Sequence, residues 1–121
     1  MDKTIKSYRE LIVWQKAMDL VDAVYDYTEI FPGEEKYRLV DQMQRAVVSI
    51  PSNIAEGGNS CSRKEYRRYL RIAYASGAEL ETQLEISKRR NYGSRDARVN
   101  AGKLLDEVMR MLNKMINIFE N

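Results

Sequence analysis

Apolar residues recur at spacings of three and four through most of the chain, the period that places them along one side of a helix. Leu11, Trp14, Met18, Val21, Tyr25 and Thr28 form the first such stripe, and Leu39, Met43, Ala46, Ile50 and Ile54 the second. A third runs through Tyr66, Leu70, Ala73, Gly77, Leu80 and Leu84. The fourth comprises Ala101, Leu104, Leu105, Val108, Met111, Leu112, Met115 and Phe119. Nowhere do apolar and polar residues alternate with the period of a strand. The punctuation agrees: Ser7 with Glu10 and Ser62 with Glu65 read as capping boxes, in which hydroxyl and carboxylate each satisfy a free backbone N–H, and Ser94 can cap the last segment. Phe31-Pro32-Gly33, Gly57-Gly58 and Tyr92-Gly93 supply the stops. The pattern predicts helices over about residues 8–29, 34–57, 62–92 and 95–120 of a single domain spanning 1–121. It is an all-α fold, an antiparallel up-down-up-down four-helix bundle. Ala73 and Gly77, small and one turn apart, allow a neighbouring helix to come close.

The stretch SIPSNIAEG, residues 49–57, interrupts this regularity with Pro51. Proline cannot donate to the carbonyl of Val47 and its ring pushes against it. A break into two helices would leave Ile50 as N-cap, a poor capping residue. The apolar stripe stays in phase across the proline, which favours one continuous, kinked helix. On that helix Gln42, Arg45, Ser49, Ser52, Asn53 and Glu56 fall on one line beside the core stripe. Such a seam serves as a binding groove, as a buried network fixing helix register, or as a wet face.

Composition narrows the function classes. Of 121 residues, 44% are hydrophobic and 31% charged, and no apolar run approaches the roughly 20 residues that span a bilayer, so no membrane association is expected. The first ten residues lack the apolar core of a secretion signal, and the one cysteine, Cys61, cannot form an internal disulfide; a reducing, cytoplasmic setting follows as the expectation. The absence of histidine removes His-based triads and the Glu-x-x-His ligand pairs of di-iron bundles. Gly57-Gly58 lacks the Gly-Lys-Ser/Thr of a phosphate loop, and Met109, Met111 and Met115 read as flexible core filling. No enzymatic activity, catalytic residue, cofactor or metal site is expected.

The net charge is only +2, but its distribution is uneven. Arg63, Lys64, Arg67, Arg68 and Arg71 lie within a face of about 140° at the start of the third helix. Cations there oppose the helix dipole by a few tenths of a kcal/mol each, so something else must favour them. Phosphates of RNA or DNA would do so through counterion release; a solvated face with intersubunit salt bridges to Glu79, Glu81 or Glu85 would do so too. Five further bases face one acid between Lys88 and Arg98. A separate line on the third helix, Ile72, Ala75, Ser76, Glu79, Gln83 and Ile86, is too apolar for a simple wet face and is a candidate subunit interface.

Three separated motifs, LIVWQKAMDLV (11–21), SIPSNIAEG (49–57) and ELETQLEISKR (79–89), resemble the four-helix bundle family of 23S rRNA intervening-sequence proteins. The resemblance implies a small bacterial protein without enzymatic activity whose bundles assemble into a ring-shaped homo-oligomer, a pentamer. A related branch resembles the accessory protein of diversity-generating retroelements, which implies a protein partner such as a reverse transcriptase and nucleic-acid binding through a basic surface. The chain departs from the family pattern at Tyr37-Arg38-Leu39, at Gln44-Arg45 and in the loop Gly58-Asn59-Ser60-Cys61, where positive charge is lost.

Overall fold

The computed structural model describes residues 7–120. Four helices, α1 (Ile12–Thr28), α2 (Leu39–Gly58), α3 (Arg63–Arg89) and α4 (Arg95–Ile118), carry the fold, with short 3₁₀ turns at Tyr8–Glu10 and Gly33–Glu35. Among the described residues there is no strand.

The helix ends follow their local chemistry. Ser62 Oγ accepts from the backbone N–H of Glu65 at 3.1 Å, and Ser94 Oγ from that of Ala97 at 3.0 Å, so both hydroxyls serve as N-caps. Ser7 behaves differently. Its hydroxyl accepts from Arg9 N–H and caps only the 3₁₀ turn, after which Leu11 is extended (φ −73°, ψ 127°). The first α-helix therefore begins at Ile12, later than residue 8, and Gln15 Nε2 ties it back to the carbonyl of Arg9 at 2.9 Å. The second begins at Leu39, because Glu34 and Glu35 are spent in a separate 3₁₀ turn. The third closes in a Schellman arrangement: Asn91 is left-handed (φ 59°), Tyr92 N–H reaches Ser87 C=O and Asn91 N–H reaches Lys88 C=O, both at 3.0 Å. Gly93 follows at φ 70°, and a Cβ there would lie 2.5 Å from the Tyr27 ring, so the position demands glycine twice over.

Side-chain contacts fix the directions. Gln44, near the start of α2, donates to Thr28 at the end of α1; Ser87, near the end of α3, meets Tyr27 near the end of α1; and Arg63, at the start of α3, donates to the carbonyl of Ile118 at the end of α4. The helices thus alternate up and down, and their backbones come close only between neighbours around the bundle, α1 with α2 and α4, α3 with α2 and α4.

The core stripes of α2, α3 and α4 are centred where the apolar periodicity puts them: Met43, Ala46, Ile50 and Ile54, then Leu70, Ala73, Gly77 and Leu80, then Ala101, Leu105, Val108 and Leu112 are buried. Gly77 is the close approach: the sulphur of Met109 on α4 occupies the place a Cβ would take. In α1 the expected stripe is out of phase. The buried residues are Val13, Ala17, Leu20, Ala23, Val24 and Tyr27, together with Thr28, whereas Met18 is 40% and Tyr25 45% exposed, and Leu11, Trp14 and Val21 pack only on the margin. Both sets obey the same three-four spacing; bulk favours one and the bundle axis selects the other, where Ala17 lets the neighbours approach. α2 runs unbroken through Pro51, which is itself buried.

Candidate nucleic-acid interface

The start of α3 is placed by aromatic packing. Tyr66 stacks on Phe119 with centroids 4.7 Å apart, which brings the C-terminal end of α4 beside the first three turns of α3. Gly57 at the end of α2 accommodates the same ring, since a Cβ there would meet Tyr66 at 2.8 Å. Burial pushes the Tyr66 phenol up from its ordinary pKa.

The five cations of this face then divide by partner. Arg63 donates to the Ile118 carbonyl at 3.2 Å and lies over the Phe119 ring at 5.0 Å. It sits at the negative end of the α4 dipole, which offsets its unfavourable position at the start of α3. Arg71 and Arg67 share one carboxylate, Glu120, at 3.0 and 3.9 Å. Arg68 pairs with Glu65 at 2.7 Å and covers the Tyr69 ring at 4.5 Å. The hydrogen bond from Arg68, and then its charge, hold the Glu65 carboxyl below the ordinary carboxylate range, while Glu65 raises Arg68. Lys64 has no ion-pair partner among the described residues. Within the chain the pairs are made to Glu65 and Glu120.

Lys64, Glu65, Arg67, Arg68 and Arg71 line an open recess of about 460 Å³. Five cations against two carboxylates leave the face net positive by three. The pairs are wet, with Arg68 and Arg71 side chains 54% and 55% exposed, so each contributes little to stability and yields readily to a competing anion. Chemically the face has the charge to attract anions, with aromatic rings beneath the guanidinium groups of Arg63 and Arg68.

The polar line on α2 separates. Ser49 Oγ meets Ser76 Oγ at 2.8 Å, and Asn53 Nδ2 donates to both the Ser49 carbonyl (2.8 Å) and its hydroxyl (3.0 Å), a network in the α2–α3 seam. Arg45 points to solvent and pairs with Asp41, while Gln42, Ser52 and Glu56 are exposed. The line on α3 separates as well. Ile72, Ala75, Glu79 and Ile86 are exposed, whereas Ser76 is engaged with Ser49 and Gln83 is 4% exposed within its own chain. Gln83 Oε1 has no hydrogen-bond partner among the described residues. Cys61 lies exposed in the α2–α3 loop.

Sequence reasoning missed the buried group at the opposite end of the bundle. Tyr27 Oη lies 2.7 Å from Ser87 Oγ and donates to the Tyr92 carbonyl at 3.1 Å, while Tyr92 Oη donates to Glu35 at 2.9 Å. It also missed Glu120 as the partner of Arg67 and Arg71. Neither contact leaves a local signal, since the partners are 49 or more residues apart.

The model of the 23S rRNA-intervening sequence protein family matches residues 9–114. The chain belongs to this family. Among solved structures it is similar to a protein of unknown function from the S23 ribosomal protein family of Bacteroides thetaiotaomicron, with 24% identity and a TM-score of 0.80. That match covers 88% of this chain and 96% of the other, and shows a shared fold. No curated protein matches the chain. Among the described residues of this family member, no helix is long and apolar enough to cross a membrane.

Proposed function

We propose that this family member is a non-enzymatic, oligomeric bundle that binds RNA or DNA without sequence preference through the N-terminal face of α3. The observation that carries the reading is the net-positive recess of Lys64, Arg67, Arg68 and Arg71, whose ion pairs are exposed. Phosphate oxygens displace such carboxylates with little loss, and the released counterions supply the driving force. Repetition of the face around a ring of identical bundles multiplies weak contacts by avidity. Reversing charge with Arg67→Glu and Arg71→Glu together tests it: oligonucleotide binding falls at least tenfold while the circular dichroism spectrum stays helical. Unchanged affinity in that variant removes the proposal.

A second reading, a structural or adaptor homo-oligomer with a protein partner such as a reverse transcriptase, is favoured by a different surface. Trp14, Met18, Val21, Val48, Pro51 and Ala55 line an apolar groove of about 330 Å³ along α1 and α2. Light scattering addresses the oligomer: a strictly monomeric mass at micromolar concentration excludes the ring.

A further inference from the structure

The hairpin between α3 and α4 carries a second group of cations, five bases against one acid between Lys88 and Arg98. Lys88, Arg90, Arg95 and Arg98 have no ion-pair partner among the described residues, and only Arg89 is paired, with Glu85 at 2.9 Å. Arg95 and Arg98 stand in the first turn of α4, against the helix dipole, with Asp96 in the same turn and the Glu85 carboxylate of α3 within reach of the charges of Arg98 and Lys88. Lys88, Arg95 and Arg98 line an open recess of about 380 Å³ together with Leu84, Leu105 and, farther from the hairpin along both helices, the carboxylates Glu81, Glu85 and Asp106. At 100° per residue Lys88 falls only about 20° from Arg63 around α3, so the two groups share the α3–α4 side of the bundle. From Arg67 to Lys88 the helix rises about 31 Å. Between the groups lie three carboxylates, Glu81, Glu85 and Asp106.

We propose that the α3–α4 face binds double-stranded nucleic acid, with the α3 N-terminal cluster and the hairpin cluster each contacting phosphates about one duplex turn apart. The proposal rests on the nucleic-acid reading above and adds its form. A single strand laid along this face would run its phosphates over Glu81, Glu85 and Asp106. A duplex lying along it brings backbone to both ends, where the cations are, with groove between them. The separation of about 31 Å approaches the 34–36 Å repeat of the double helix.

The test is fluorescence anisotropy across a salt series with duplexes of about 8 and 16 base pairs and a 16-nucleotide single strand. It uses the wild type and the variant Lys88→Gln with Arg95→Gln and Arg98→Gln. The longer duplex binds with a steeper salt dependence than the shorter one. The triple substitution flattens that slope by about 3, near 0.9 for each lost phosphate contact, and changes the 8-base-pair duplex little because the first cluster remains. An unchanged slope for the long duplex in the variant, or single-strand binding as tight as duplex binding, overturns this proposal while leaving the α3 cluster as a nucleic-acid site. Absence of binding by every oligonucleotide at low salt overturns both.

Discussion

The hydroxyl of Tyr27, buried at the end of α1, lies 2.7 Å from the hydroxyl of Ser87, buried near the end of α3. The backbones of these helices lie diagonally across the bundle and do not come close, so this pair, with the Tyr92 carbonyl at 3.1 Å, ties the diagonal together and holds the α3–α4 hairpin. Tyr27→Phe removes the bond to the Tyr92 carbonyl and strands that acceptor. A loss of about 1–2 kcal/mol is expected, read as a melting temperature lower by several degrees with the helical spectrum intact.

Two glycines differ in what they tolerate. At Gly77 the obstructing atom is the end of a flexible side chain, Met109, which can turn away; at Gly93 it is the ring of Tyr27, and the backbone is left-handed as well. Gly93→Ala therefore costs more than Gly77→Ala in chemical denaturation, with about 2 kcal/mol or more expected at position 93.

Gln83 is buried with an unsatisfied acceptor, and its amide donates only weakly, at 3.5 Å, to Glu79. Replacing it with an apolar side chain of similar volume removes the desolvation cost. Gln83→Leu is expected to raise stability by about 1 kcal/mol, checked by urea unfolding.

Glu120 neutralises part of the α3 face by holding Arg67 and Arg71. Glu120→Gln frees both guanidinium groups, so nucleic-acid affinity should rise several-fold at low salt with unchanged helicity. A loss of affinity would show that the carboxylate positions the arginines for their ligand.

Glu65 and Glu85 are held below the ordinary carboxylate value, chiefly by hydrogen bonds from Arg68 and Arg89. A lowered folded-state value means that their contribution to stability is fully present above the unfolded value, about 4.3, and is lost as pH falls through the lower folded values. Both carboxylates are exposed, so the effect is small and fades in salt. Thermal melts from pH 6 down to pH 3, at low and high salt, measure it.

Much of the bundle was legible because α2, α3 and α4 each carry one apolar stripe on an otherwise polar surface. α1 was not, for a physical reason. It is apolar on two sides, and the large residues Trp14, Met18 and Tyr25 outweigh Ala17 and Ala23 in any reading by bulk, although the small side belongs inside. The excess shows as the groove shared with Val48 and Pro51 on α2. The basic face was legible as a run of charges, but its partners were not. Glu120 lies far along the chain, and the packing of α4 on α3, with Tyr66 against Phe119, brings it to Arg71. For the same reason the seam of Ser49 and Asn53 declared its polarity in sequence but not its partner Ser76.

The measurement that bears most directly on the account is the affinity of the wild-type protein for a mixed-sequence oligonucleotide at 50 and 200 mM salt. Displacement of counterions by the α3 cations predicts measurable binding at the lower concentration that weakens steeply at the higher, with little dependence on sequence. No binding at 50 mM, or an affinity indifferent to salt, would contradict it.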